Sequence, residues 1–359
     1  MFSSTLNNQS SESEIIASNQ LSEDFALIEL SDRRIFLGKG PFNRATTPAQ
    51  SGISFYVNDF NLSSRRPWFI PSSYEEIKAS DIAHLTNGHA LPRLQWKDPN
   101  YNDFKECFDH ISKLREEGVL QKAVPAVTST SPISDPSNYC LNLVKASFPH
   151  LSSLSAYAFS VKGNGFVGLS PEQIFKLESS QLHTMALAGT SVSEENSLFE
   201  NDPKEQHEHQ LVVESIRRRL SGLGMVEESE RKTLDIGGMV HFLSNFTVTL
   251  NEDPTIDEII RNLHPTPALG TVPRTNETST VLDQIRNRLK VPPMFGSPFG
   301  IKVDNFFEAF VLIRGLFFNK DTIHLPTGCG IVDGSKIGNE WDELAFKRRW
   351  VKSSFGLNQ

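Results

Sequence analysis

Cysteine is scarce in this sequence: Cys107, Cys140 and Cys329 are all there are among 359 residues. An odd number at unrelated spacings argues against a disulfide framework, and without a CxxC pair there is no zinc or dithiol motif, so a reducing compartment with three packing thiols is expected. Long apolar runs are lacking too. No stretch approaches the roughly 18 consecutive apolar residues that a bilayer span needs. The start, MFSSTLNNQSSESE, has neither the basic nor the apolar region of a secretory signal, so a cytoplasmic location is expected. Positive charge is in deficit, 35 Lys and Arg against 43 Asp and Glu, a net charge of -8. That balance argues against a nucleic-acid or anionic-membrane partner and favours a small ligand.

What remains is a chain with 38% hydrophobic residues, enough for one large domain or two ordinary ones. Residues 1–23, rich in Ser, Asn, Gln and Glu, are expected to form a disordered tail. Residues 24–100 read as the N-terminal part of a sheet scaffold, because runs such as RRIFLGKG and SGISFYVNDF are broken by Gly, Pro and Asn. Residues 101–355 read as a larger domain of hairpins and helices. There FKECFDHISKLREEG places Phe104, Phe108 and Ile111 on one helix face, with Gly118 as a stop. Alternating strands flank polar breaks in SAYAFSVKGNGFVGLS and IFKLESSQLHTMALAGT, and FEAFVLIRGLFF before TIHLPTGCGIV reads as a third hairpin. Helical patterns interleave at KEQHEHQLVVESIRRRLSGLG, TIDEIIRNLH and TSTVLDQIRNRLK. Hairpins clustered around helices predict an α+β fold with large antiparallel sheets rather than a parallel α/β sheet.

Two acidic pairs carry potential chemistry. Glu340 and Glu343 in NEWDELAFK, and Glu205 and Glu208 in KEQHEHQ, each fall three residues apart on a predicted helix face. Either these are solvated faces, or the two faces converge on a hard cation such as Mg²⁺, which takes oxygen ligands and keeps part of its water. His207 and His209 are about 200° apart around a helix, which does not suit a zinc pair. Lys122 in LQKAVPAV begins an apolar strand: buried, its pKa would fall and it would serve as a base; on an exposed edge it would do nothing. SPE at Ser170 to Glu172 reads as a helix start or a functional turn. Gly330 in GCG reads as a strand-end turn or as a backbone donor to an anion.

In order along the chain, LQKAVPA, GLSPEQIFKLESSQLHTMALAGT, HEHQLVVESIRRRL, LHPTPALGTVPR, EAFVLIRG, GCGIVDGS and NEWDELAFK resemble the chorismate-utilising enzymes. The resemblance runs from about Phe104 to Lys352 and is weak in the N-terminal third. It implies the chorismate-binding, anthranilate synthase component I-like fold. It also implies Lys122 as the base that activates water, since ammonia-using members carry glutamine there, and Glu172 as the acid that protonates the leaving hydroxyl. Ala188 stands where members with a covalent nucleophile have lysine, and Ala268 where salicylate synthases tend to have threonine, so the pattern resembles isochorismate synthases. The same resemblance implies Glu208 and Glu343 as direct Mg²⁺ ligands with Glu205 and Glu340 one turn away, and Gly189, Thr190, His264, Arg314, Gly330 and Lys347 as substrate-binding residues. An isomerase feeding menaquinone, siderophore or salicylate synthesis follows as the expectation, with chorismate as substrate, no glutaminase subunit and a monomeric state. Salicylate synthase and a non-catalytic chorismate-binding protein are the alternatives.

Overall fold

The strand Phe25–Glu29 is buried along its whole length, which happens only when both faces of its sheet are covered. The computed structural model shows what covers them; it describes residues 24–85, 93–134, 136–148, 150–192 and 199–357. The tail expected over residues 1–23 lies outside them. Among the described residues, an eight-stranded antiparallel sheet runs in the order Ser73–Ile77, Ile35–Lys39, Phe25–Glu29, Ser155–Val161, Asn164–Ser170, Gly315–Asn319, Thr322–Gly328, Ala126–Pro132. A ten-stranded sheet packs against it, with Met239–Leu250, Gln181–Val192, Gln173–Glu178, Phe306–Val311, Pro298–Val303 and Ile53–Val57 consecutive in its middle. Strands from the first eighty residues enter both sheets, so that segment belongs to the same sandwich.

Phenylalanine fills the space between the sheets. Phe36, Phe55, Phe159, Phe166, Phe299, Phe310 and Phe317 form one buried cluster, with Phe159 and Phe166 stacked at 5.5 Å and Phe166 edge-on to Phe299 at 5.2 Å. Such contacts add to the area term that dominates the core. Helices cover the outer faces. Helix α1 (Tyr101–Glu116) buries Phe104, Cys107, Phe108 and Ile111, and Gly118 takes φ +74° just beyond its end. Helices α2 (Pro136–Ala146) and α6 (Ile337–Ser354) meet the first sheet through Leu143 and Val351. Helices α3 (Pro203–Leu220), α4 (Ile256–Leu263) and α5 (Asn276–Arg288) pack on the second through Val212, Ile260 and Leu282. All three cysteines are buried and free, and no helix among the described residues is long and apolar enough to cross a membrane.

Of the places where the chain passes from one sheet to the other, two lie side by side. One leaves Asn164–Ser170 and enters Gln173–Glu178 of the other sheet; the second leaves Phe306–Val311 and enters Gly315–Asn319. Val311 N–H donates to the Glu172 carbonyl at 3.0 Å and Leu169 N–H to the Arg314 carbonyl at 3.2 Å, while the Ser170 hydroxyl donates to the Val311 carbonyl at 2.7 Å. FEAFVLIRGLFF is therefore not one arm of a hairpin, as its apolar run suggests. It breaks at Leu312–Arg314 to change sheets, and only Gly315–Asn319 pairs with Thr322–Gly328. SPE likewise starts no helix: it is the other crossing.

Tyr157 ties the second crossing down, its buried hydroxyl donating to the Ile313 carbonyl at 2.7 Å. Replacing Tyr157 by Phe removes that donor and leaves a carbonyl unpaired, so the Tyr157→Phe protein should unfold with about 0.5–1.5 kcal/mol less stability in urea titration, with an unchanged slope. An unaltered midpoint would mean that the crossing is held without this bond.

Candidate active site

The crossings determine where two functional side chains emerge. Glu172 and Arg314 each occupy the step from one sheet to the other, and Arg314 takes a left-handed φ of +53° there, a conformation a non-glycine residue adopts only when its surroundings hold it. A β-bulge supplies the next wall. Pairing between Gln181–Val192 and Met239–Leu250 shifts register between Ala188 and Ser191, so Gly189, at φ +76°, and Thr190 leave the ladder. His241 Nδ1–H donates to the freed Gly189 carbonyl at 2.8 Å, and Thr190 N–H donates to Glu205 Oε2 at 2.8 Å.

A third wall is the short strand Lys122–Ala123. It pairs with Thr271–Val272 on one side and bridges Ile331 on the other, which lays Lys122 under Gly330. A β-carbon on Gly330 would fall 2.1 Å from Glu208 Oε1 and 3.0 Å from Lys122 Cε, so only glycine lets that lysine and that glutamate approach. Lys122 is fully buried with Nζ 3.0 Å from Glu208 Oε1. The expectation that burial would act on this lysine alone left out that carboxylate partner.

The fourth wall comes from two helix starts. Asp202 caps α3, accepting from Lys204 N–H at 2.8 Å and Glu205 N–H at 3.2 Å, and Pro203 occupies the first turn where its missing donor costs nothing. Glu205 and Glu208 follow on one face of α3, and Glu340 and Glu343 occupy the facing turns of α6. The four predicted carboxylates are thus brought together, but not onto a common void. Lys204 Nζ lies among three of them, 2.8 Å from Glu205, 3.3 Å from Glu340 and 3.4 Å from Glu208. Among the described residues, no three His, Cys, Asp or Glu side chains are grouped closely enough to hold a metal ion as they stand. The fourth carboxylate, Glu343, is held by Lys347, which also donates to the Gly328 carbonyl at 2.9 Å. Arg348, next in sequence, is buried and stands over Trp341 at 5.4 Å.

One cavity is bounded by Glu172, Gly189, Thr190, Glu208, Arg314, Gly330, Glu343 and Lys347, so eight of the twelve sequence candidates line it and Lys122 lies beneath through its contact with Glu208. Glu205 and Glu340 border an adjacent cavity, which shares Thr190 and Glu343 with the first. His264 borders neither. It is the buried C-cap of α4, with Nε2 2.7 Å from the Phe60 carbonyl and its ring edge-on to Phe60 at 5.3 Å. The cavity's histidine is His241, which the motif reading passed over. Its signal was modest, a lone histidine in the apolar strand MVHFLS.

Burial sets the electrostatics. Glu172 is pushed up to about 7 by loss of water, opposed by the Thr266 hydroxyl that donates to Oε1 at 2.8 Å and by the charge of Lys122. His241 is drawn down to about 3, first by burial and then by Arg314 and Lys347. Neutral, and donating from Nδ1, it offers Nε2 as acceptor to Arg314 Nη2 at 3.3 Å. Burial lowers Arg314 itself to about 10, with Glu343 opposing, which leaves a cation at neutral pH. Glu208 is held low: burial acts against ionisation, but Lys122 and Lys204 outweigh it. Burial and neighbouring carboxylates push Glu205 and Glu340 upward despite Lys204. A buried acid, a buried lysine and two cationic groups in one place can bind an anion and move protons at two points.

Comparison with known proteins bears on the family and the fold. The family model described as chorismate binding enzyme matches residues 69–355. The isochorismate synthase MenF of Bacillus subtilis is 31% identical over 219 residues, covering 56% of this chain and 45% of that protein. The salicylate biosynthesis isochorismate synthase of Pseudomonas aeruginosa is 28% identical over 274 residues, covering 72% of this chain and 54% of that protein. The chain thus spans about half the length of these curated relatives. In fold it is similar to MenF, the menaquinone-specific isochorismate synthase of Escherichia coli, with a TM-score of 0.76 at 20% identity over 98% of this chain and 92% of that one. It is also similar to anthranilate synthase component I of Streptococcus pneumoniae, with a TM-score of 0.65 at 14% identity over 99% of this chain and 100% of that one.

The carboxyl of Glu172 should titrate with a midpoint near 7 in the carbon-13 spectrum of glutamate-labelled protein. The Thr266→Val variant, lacking the donor that favours the carboxylate, should titrate higher. A midpoint that stays put or falls would show that Thr266 does not act on this carboxyl.

Proposed function

The chain belongs to the chorismate-binding enzyme family, and from that premise we propose that it is an isochorismate synthase, converting chorismate to isochorismate. The observation that supports this most is Glu172, a buried carboxyl whose proton affinity lies near neutrality, in a cavity with Lys122 beneath another wall. The reaction needs a base to take a proton from water as it attacks C2 of the ring, and an acid to give one to the C4 hydroxyl as it leaves. Lys122 is assigned the first role and Glu172 the second. Both ring double bonds shift between attack and departure, C1=C2 to C1=C6 and C5=C6 to C4=C5, one water enters and one leaves, and the product is an isomer of the substrate.

Recognition of a dicarboxylate calls for fixed cations and donors. Arg314, aimed by neutral His241, presents a planar pair of donors suited to a carboxylate, and Lys347 adds a second positive charge. Gly330, whose place a β-carbon would block, leaves its backbone N–H open to the substrate, and Gly189 and Thr190 bound the ring. His264 is not assigned a role in binding. Ala188 and Ala268 line the cavity as small side chains, consistent with water as nucleophile and with release of the product before pyruvate is eliminated.

The carboxylates fit a divalent cation chemically. Four carboxylates face the same region from two helix starts, and the buried Glu340 Oε2 accepts no well-formed hydrogen bond. Glu208 and Glu343 are the proposed direct ligands of Mg²⁺, with Glu205 and Glu340 completing the shell through water. When bound, Mg²⁺ supplies positive charge beside a substrate carboxylate and stabilises the charge that develops in the ring. No glutaminase subunit is required when water is the nucleophile, and a monomer is proposed. The product is one that menaquinone, siderophore or salicylate synthesis could draw on.

Purified protein with chorismate and Mg²⁺ should yield isochorismate on chromatography, and a chelator should abolish it. Glu172→Gln and Lys122→Gln should each lower turnover by about 10²–10⁴-fold while chorismate still binds. Because Glu172 acts in its protonated form, the wild-type rate should fall as pH rises through about 7. Salicylate with pyruvate would move the assignment to a salicylate synthase, and binding without conversion would leave a recognition protein only.

A further inference from the structure

Among the described residues, Lys204 is the cationic side chain that forms ion pairs with both halves of the acidic cluster. Its Nζ contacts Glu205 at 2.8 Å and Glu208 at 3.4 Å on α3, and Glu340 at 3.3 Å on α6. The other lysines each serve one carboxylate: Lys122 pairs with Glu208 and Lys347 with Glu343. An ammonium with carboxylate oxygens around it on separate helices is a crude copy of a coordinated cation, with three donors in place of empty coordination sites and longer distances than the 2.0–2.1 Å of Mg²⁺.

We propose that Lys204 is a built-in counter-ion that holds the carboxylate cluster together without metal and must withdraw for a divalent cation to bind. The inference rests on the metal role assigned to Glu205, Glu208, Glu340 and Glu343. Electrostatics supplies the reason for such a device. Four carboxylates on two facing helix starts repel one another strongly in a site with little water. Without a cation between them, α3 and α6 would be pushed apart and the cavity wall they form would open. Lys204 stands in the first turn of α3, which Asp202 caps, and from there its side chain reaches Glu340 on α6.

The geometry also provides for withdrawal. Lys204 borders a second cavity of about 650 Å³ on the side away from Glu172, together with Asp202, Glu205, Asn339 and Glu340. A four-carbon side chain can swing into that space without unfolding the turn that carries it. Metal binding then replaces one positive charge by two, and affinity is reduced by whatever the Lys204 contacts contribute.

Isothermal titration with MgCl₂ alone, in the absence of chorismate, tests this on the wild type and on Lys204→Met. The variant should bind Mg²⁺ about tenfold or more tightly. Its melting temperature without metal should fall below that of the wild type and recover on adding Mg²⁺. Wild-type binding with equal or weaker binding by the variant would overturn the counter-ion role and leave the metal site standing. Absence of Mg²⁺ binding in both proteins would remove the metal reading and this inference together. If Lys204→Met does not fold, reductive methylation of the wild type followed by peptide mass spectrometry decides. Lys204 should be labelled faster with Mg²⁺ than without, and an unchanged or slower rate would overturn the proposal.

Discussion

The paired chain crossings are the constraint on which the site depends. Two sheets packed face to face ordinarily exchange strands only at their rims. Here two of the passages between them lie at adjacent points, and backbone bonds from Val311 to Glu172 and from Leu169 to Arg314 lock these two together. A residue at a crossing has left one ladder and not yet joined the next, so its side chain is free to point along the seam. Glu172 and Arg314 gain their common cavity in this way. The strained backbone at Arg314 is the local cost, and the phenylalanine core that clamps both sheets sustains it.

Around the seam, charge is buried in compensated groups. Arg314 is balanced by a neutral histidine on one side and faces Trp350 at 5.3 Å on another. Lys122 and Glu208 are joined at 3.0 Å under a glycine. Three lysines meet four glutamates where α3 approaches α6. Such pairs do little for stability in themselves, because desolvation consumes most of what attraction returns. Breaking one leaves a lone buried charge, which is far more costly. The arrangement therefore fixes positions more than it raises overall stability, and a site that moves protons needs fixed positions.

Much of this was legible in the residues. The breaks read at Gly163 to Gly165 and at Ser179–Ser180 mark the two hairpins that form there, although Asn164 and Gly165 prove to be the first strand residues after the turn, and i,i+3 spacing put both glutamate pairs on helix faces that Lys204 bridges. The crossings were not legible, because an apolar run such as FEAFVLIRGLFF reads alike whether it stays in one sheet or leaves it; tertiary pairing alone decides. Helix α2 went unread because its apolar residues, Tyr139, Cys140, Leu143 and Val144, are embedded in a short polar segment that gives a weak period. His264 was misplaced for a related reason. Its sequence neighbours are motif residues, and Thr266 does reach Glu172, but at the end of α4 the imidazole turns back to Phe60. Lys204 was passed over as one more surface lysine, since nothing in local spacing shows that a second helix will bring Glu340 to it.

The histidines illustrate how burial decides function here. His241 can act as an acceptor for Arg314 only while it is neutral, since an imidazolium 3.3 Å from a guanidinium would repel it. Loss of hydration, reinforced by Arg314 and Lys347, lowers its proton affinity to about 3, so the anchor keeps its geometry across the physiological range. His209 and His264, each lowered to about 4 chiefly by burial, share that neutrality in the helices beside the cavity. All three bind a proton more readily when unfolded, near 6.5, than when folded. The unfolded chain therefore takes up more protons as pH falls below that value, and stability declines progressively until the folded-state values are passed. The same burial that presents Glu172 as an acid near neutrality thus makes the surrounding scaffold sensitive to acid. The proton needed for chemistry is held where the fold is secure, above the range in which the histidines begin to charge.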